Sequence, residues 1–176
     1  DVAYGSDDED SFSMCSGDDL VDAGNGNDII DTHGGNDIVY AGAGNDIIHA
    51  SDGNDIIYGG DGDDTIYPDN NDDFSWSEFG NDTIIGGKGN DTIISMTGDD
   101  TFIFNIGDGQ DTIIEHQGVD TLYFGPNITW EDLTFTQSEN DMVISINDTT
   151  DSITVKDWFA ADEDGVYRYN NHKIEI

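Results

Sequence analysis

The chain is written in nine-residue blocks, and that period decides most of what it can become. Aligning on a Gly-x-Asp step gives GSDDEDSFS (5–13), MCSGDDLVD (14–22), AGNGNDIID (23–31), THGGNDIVY (32–40), AGAGNDIIH (41–49), ASDGNDIIY (50–58) and GGDGDDTIY (59–67). PDNNDDFSW (68–76) has lost its glycine and its aliphatic residue but keeps the length, so SEFGNDTII (77–85) resumes in phase. GGKGNDTII (86–94) and SMTGDDTFI (95–103) follow; two extra residues, Phe104 and Asn105, precede IGDGQDTII (106–114) and EHQGVDTLY (115–123).

Such a period is too short for paired helices and carries no 3.6-residue apolar stripe. Glycine-rich hexads alternating with three β-formers describe turn, strand, turn, strand. Two reversals return the backbone above its own start, so one coil takes eighteen residues and stacks on the next at about 4.8 Å. The expected fold is all-β: a parallel β-roll solenoid over residues 1–123, with a small antiparallel, β-rich capping region over 124–176. Asp10, Asp28, Asp46, Asp64, Asp82 and Asp100 fall in one column of turns, and Asp19, Asp37, Asp55, Asp73 and Asp91 in the other. Asp111 and Asp120 rejoin these columns if Phe104 and Asn105 bulge outward. Position eight of each block (Val21, Ile30, Val39 and onward) is the middle of a three-residue strand, and the geometry turns that residue alone to the core.

Forty Asp and Glu against four Lys and Arg give a formal net charge of −36. That balance excludes nucleic acid and anionic membrane as partners and points to cations. Stacked carboxylates about 5 Å apart repel by roughly 3 kcal/mol per neighbouring pair at an effective dielectric near 20. A divalent cation between coils reverses the sign. Calcium takes oxygen ligands at about 2.3–2.6 Å, so two ligands on opposite sides of the ion lie about one strand spacing apart. All-oxygen donors without clustered His or Cys select Ca²⁺ over zinc or copper, and several ions are expected. The expected carboxylate ligands are Asp19, Asp28, Asp37, Asp46, Asp55, Asp64, Asp82, Asp91, Asp100, Asp111 and Asp120. Asp73 is left out because Asn71 and Ser75 replace the glycine and aliphatic residue of its block. The expected carbonyl donors are Gly24, Gly26, Gly35, Gly42, Gly44, Gly53, Gly60, Gly62, Gly87 and Gly89, where the missing Cβ lets backbone oxygens approach an ion.

These blocks resemble the repeats-in-toxin (RTX) nonapeptide G-G-x-G-x-D-x-U-x, which GGDGDDTIY and GGKGNDTII match at every defined position. The resemblance covers residues 5 to 123. It implies a parallel β-roll with Ca²⁺ between turns, held by position-six aspartates and loop carbonyls. It also implies secretion by a type I machinery, to the outside or the surface of a bacterium. Asp8, in place of glycine at position four of the first block, departs from the pattern.

After Tyr123 the period stops, and alternation indicates short strands at Leu133–Thr136, Met142–Ile146 and Ile153–Val155, with a turn at 138–141. Trp130, Phe135, Trp158 and Phe159 are expected to cover the last coil. Residues 151–159, DSITVKDWF, are similar to the conserved region after RTX rolls in haemolysin-type proteins, a pattern that continues beyond Ile176; truncation there is expected. The N-terminus, without Met, reads as the start of a segment of a larger protein.

No residue pattern supports catalysis: His33, His49, His116 and His172 lie in separate blocks or the tail, no G-x-S-x-G elbow occurs, and the lone Cys15 is a small filler residue. Tyr40, Tyr58 and Trp76, eighteen residues apart at position nine, form an outward aromatic strip that either shields the sheet or binds surface glycans. The expected protein is a non-enzymatic, monomeric, calcium-dependent folding module of a large adhesin, or the non-catalytic tail of a toxin, lipase or protease. It is disordered at intracellular calcium and folded outside.

Overall fold

The computed structural model describes residues 1–159 and 173–175. In chain order the strands are β1 (Val2–Tyr4), β2 (Ser11–Ser13), β3 (Leu20–Asn25), β4 (Ile29–Asp31), β5 (Ile38–Ala43), β6 (Ile47–His49), β7 (Ile56–Asp61), β8 (Thr65–Tyr67) and β9 (Phe74–Phe79). They continue with β10 (Thr83–Ile85), β11 (Thr92–Thr97), β12 (Thr101–Phe104), β13 (Gln110–Gln117), β14 (Thr121–Phe124), β15 (Leu133–Ser138), β16 (Asp141–Ile146), β17 (Ser152–Val155) and β18 (Lys173–Glu175). Odd strands through β13 pair in parallel in one sheet, and even strands through β14 in a second. Within the uninterrupted repeats the register steps by eighteen, as in Tyr40 against Tyr58 and Ile48 against Ile66. The result is the expected parallel solenoid of about seven turns.

The two sides of a coil are unequal. Strands β3, β5, β7, β9 and β11 run for six residues, whereas β4, β6, β8 and β10 run for three. The longer strands carry two inward residues, because side chains alternate along a strand. Position one therefore joins position eight in the core. Ala23 and Ala41 are fully buried beside Val21 and Val39 on the longer strands, and Thr32 and Ala50, just past the short strands β4 and β6, are buried at the same position. This corrects the expectation of one inward residue per block; the small residues at position one were its trace in the sequence.

Phe104 does not bulge. It is 1% exposed, ends β12, and stands in register with Phe124 one coil above. The two additional residues are absorbed after it, in the turn between Phe104 and Gly109, where Ile106 is 54% exposed. An aromatic residue holds its place in the core while the extra length goes to solvent.

The three C-terminal strands form as expected, β15 joined to β16 at Glu139-Asn140 and β16 to β17 through residues 147–151. One feature differs from a detached hairpin cap: β17 pairs in parallel with β13, so the antiparallel strands extend the first sheet instead of standing apart from it. The last coil is covered by Ile128, Leu133, Ile144, Ile146, Ile153 and Val155, with Trp158 partly buried against them. Trp130 and Phe135 are 56% and 40% exposed and stack on one another, so they do not serve as that cover. The expected truncation at Ile176, with Arg168 and His172, lies outside the described residues.

Candidate metal columns

Each turn ends on a position-six aspartate whose side chain points back along the stack. The backbone N–H of Asp28 donates to Asp46 Oδ1 and that of Asp46 to Asp64 Oδ1, and the series runs unbroken from Asp10 to Asp120 at 2.7–2.9 Å. The second column does the same from Asp19 to Asp111 at 2.7–3.0 Å. Asp111 and Asp120 thus keep their columns across the insertion, with a step of twenty residues instead of eighteen. Asp73 sits in its column like the others, accepting from Asp55 and donating to Asp91, despite the irregular block around it.

Position five carries a second ladder that sequence reasoning missed. The N–H of Asn45 donates to Asn27 Oδ1, that of Asp63 to Asn45 Oδ1 and that of Asn81 to Asp63 Oδ1, at 2.7–3.1 Å. Asn36, Asn54, Asn90 and Asp99 behave alike. Here the upper coil donates to the lower, opposite to position six. The signal was the near-uniform Asn or Asp at position five, a short acceptor able to reach one coil and no farther.

The aspartates are enclosed. From Asp28 to Asp120, every position-six carboxylate is 4% exposed or less. One oxygen of each takes the ladder bond; the other, Oδ2 of Asp19, Asp28, Asp37, Asp46, Asp55, Asp64, Asp73, Asp82 and Asp91, is buried without a hydrogen-bond partner. Ser95 supplies that partner to Asp100 Oδ2. The Ser77 hydroxyl lies near enough to Asp82 to favour its ionised form, yet it does not meet hydrogen-bond geometry. Burial, reinforced by neighbouring carboxylates in the stack, pushes the pKa of Asp64, Asp73 and Asp111 up to about 8 and that of Asp91 to about 7. Asp55 and Asp100 rise to about 6, and Asp28, Asp46 and Asp82 shift upward for the same first cause. A buried anion without a donor or a cation is the costly arrangement in a protein interior.

Loop carbonyls line the same gaps. A Cβ on Gly44, where φ is +130°, would stand 1.8 Å from Gly26 O; on Gly98, at φ +145°, it would stand 1.5 Å from Gly80 O. No side chain fits there, and the cradle is kept open to backbone oxygen. Carbonyls of Gly24, Gly35, Gly42, Gly44, Gly62 and Gly89 face the glycine of the next coil in the same way. Gly53 and Gly60 have Asn71 and Glu78 eighteen residues on, and Gly107, in the turn that absorbs the insertion, meets no atom of Gly87, so for these three the glycine stacking stops. Among the described residues no three carboxylate, imidazole or thiol groups converge on one point. A cation in these gaps would be held by a pair of position-six carboxylates with carbonyl oxygens, an all-oxygen set suited to a hard ion such as Ca²⁺.

The aromatic strip is present. Tyr40 and Tyr58 stack with centroids 4.8 Å apart and planes 4° from parallel, and Trp76 follows at 6.1 Å and 37°. His49 and Tyr67 stack likewise on the other sheet.

Fold and columns together define a β-roll of the calcium-repeat class. A family model for the RTX calcium-binding nonapeptide repeat matches residues 16–48, 40–74 and 76–113, and one for the haemolysin-type calcium-binding-protein-related domain matches 141–176. The chain belongs to the RTX haemolysin-type calcium-binding family. It is 34% identical over 82 residues to the iron-regulated protein FrpA of Neisseria meningitidis serogroup C, a match over 42% of this chain and 7% of that protein. Among solved structures, the extracellular lipase LipA of Serratia marcescens aligns with 98% of this chain and 40% of its own, at 18% identity and a TM-score of 0.36. The chain spans well under half the length of either relative.

Proposed function

We propose that the chain is the calcium-dependent folding module of a large type I-secreted bacterial protein, an adhesin, disordered at intracellular calcium and folded outside the cell. The supporting observation is the line of buried, partnerless Oδ2 atoms in a chain of net charge −36. Asp19, Asp37, Asp55, Asp73 and Asp91 in one column and Asp28, Asp46, Asp64 and Asp82 in the other hold the ions through those oxygens, with Asp73 included because its geometry equals its neighbours'. The Oδ1 atoms fix each carboxylate by accepting the N–H of the coil below, and glycines keep the carbonyls within reach. Bound calcium supplies the positive charge that converts repulsion between layers into attraction. Without it, the roll must either carry like charges in its interior or take up protons.

Far-UV circular dichroism during a calcium titration tests this: the chain should lack β-structure in EDTA and gain it cooperatively near millimolar calcium. Full β-content in excess EDTA at neutral pH refutes the proposal.

A second reading rests on a shallow groove of about 350 Å³ bordered by Tyr40, Tyr58, Gly42, Gly60, Asp61 and Glu78. Its carboxylates could accept hydroxyls of a surface glycan. Because Tyr40 and Tyr58 turn their faces on each other, a sugar would meet ring edges and phenol hydroxyls, not a stacking platform. A Tyr58→Ala variant that folds with calcium but no longer binds on a glycan array would favour this reading.

A further inference from the structure

We infer that the coil built on β9 is a hydrated break in the core, dividing the roll into two units that fold at different calcium concentrations. The inference rests on the calcium reading above and adds an internal boundary to it.

On its β9 side the inward residues of this coil run Asp73, Ser75, Ser77 and, across the next turn, Asp82, all 4% exposed or less, while β10 keeps Ile84 in the core. Ser75 stands in register between Ile57 and Ile93, where every neighbouring coil of this sheet places an aliphatic side chain. Its Oγ has no hydrogen-bond partner, and neither does the Oδ2 of Asp73, while the Ser77 hydroxyl faces Asp82. A polar line therefore crosses the interior from one aspartate column to the other, where the coil below has Ile57 and Gly59. The turn leading into it departs from the others in one residue: Asn71, at a left-handed φ of 80°, stands where Gly17, Gly35, Gly53 and Gly89 occupy the same position, and that conformation disfavours a Cβ.

Serine in place of isoleucine leaves volume that strands at fixed spacing above and below cannot close. The space is lined by partnerless polar atoms, which is the setting in which ordered water is held by two to four hydrogen bonds. A watered layer adds little apolar burial to its neighbours. In a stack where each coil touches only the next, cooperativity breaks at the weakest interface.

Hydrogen exchange with mass spectrometry on the full chain, over a calcium series, locates the boundary. Peptides from 20–61 and from 83–124 should gain protection at calcium midpoints separated by at least about twofold, with the break inside 68–79. Ser75→Val should merge the two midpoints, and Ser75→Ala, which removes only the hydroxyl, should narrow the gap. Should the valine variant not fold, the alanine variant decides. A single midpoint across the wild-type roll, or two unchanged midpoints in a folded variant, overturns the inference. If the chain proves folded in EDTA the calcium reading fails alone, and the break is then read as two urea transitions that Ser75→Ala brings together.

Discussion

Replacing Asp64 by asparagine should make the roll more stable without calcium and less stable with it, so that two stability curves cross. Asp64 lies in mid-column: its Oδ1 accepts the N–H of Asp46, its own N–H donates to Asp82, and its Oδ2 is buried without a partner. Asparagine keeps the Oδ1 acceptor, so the ladder survives. What changes is charge. At pH 9, above the value of about 8 to which burial pushes this carboxyl, the metal-free native state must hold an anion there. With two stacked neighbours about 5 Å away at roughly 3 kcal/mol each, removing it relieves up to about 6 kcal/mol. In calcium the same change removes a ligand from the gaps on both sides. Two sites are worth about 3 kcal/mol together at ten times their dissociation constant and about 8 kcal/mol at a thousand times, so the curves cross between those concentrations. Urea denaturation followed by circular dichroism at a series of calcium concentrations, with osmolyte-induced folding in EDTA at pH 9 as the metal-free point, measures both limbs. The variant should lose up to two ions' worth of slope against the logarithm of calcium. Parallel lines would mean that Asp64 binds no ion; a variant weaker than wild type in EDTA would mean that the column carries no repulsion.

Acid should partly substitute for calcium. Burial raises the folded-state pKa values of Asp55, Asp64 and Asp91 above 3.8, so the native metal-free chain binds more protons than the unfolded one and its stability falls as pH rises from about 4 to about 8. Circular dichroism in EDTA should show more β-structure at pH 5 than at pH 8.5, and the calcium needed for folding should fall at the lower pH while the calcium needed to fill the folded sites rises; more structure at pH 8.5 would contradict the sign. Phe104→Ala should cost about 3–5 kcal/mol in calcium, and Ile106→Ser should change stability by less than about 0.5 kcal/mol. Urea midpoints decide, and similar small losses for both would return Phe104 to a surface loop.

Much of this molecule could be read before it was seen. The fixed distance between aspartates determined two columns, and the unchanged length of block 68–76 kept Asp73 in its place although that block lost its glycine and its aliphatic residue. What escaped was governed by contacts between coils. Position five looks like solvent-facing polarity until a coil above it supplies an N–H. The insertion could be placed only once Phe104 and Phe124 were seen to share a core layer, since Asn105, Ile106 and Gly107 are equally good loop formers on paper. Strand β17 read as one arm of a hairpin because alternation gives the face a residue takes and not the partner strand; its parallel edge to β13 depends on where the last coil leaves an unpaired rim.

The unequal halves of each coil limit how such a chain can change in length. Successive blocks are not interchangeable: one feeds a six-residue strand and the next a three-residue strand, and position two is glycine in the longer strands (Gly24, Gly42, Gly60) but His33, Ser51 and Asp69 on the shorter side. Deleting one block would bring a short strand against a long one and move every downstream aspartate to the opposite rim. Deleting two would leave the whole pattern matched. Lineages of this chain should therefore gain and lose repeats in pairs, with odd increments surviving only as loops of the kind between Phe104 and Gly109.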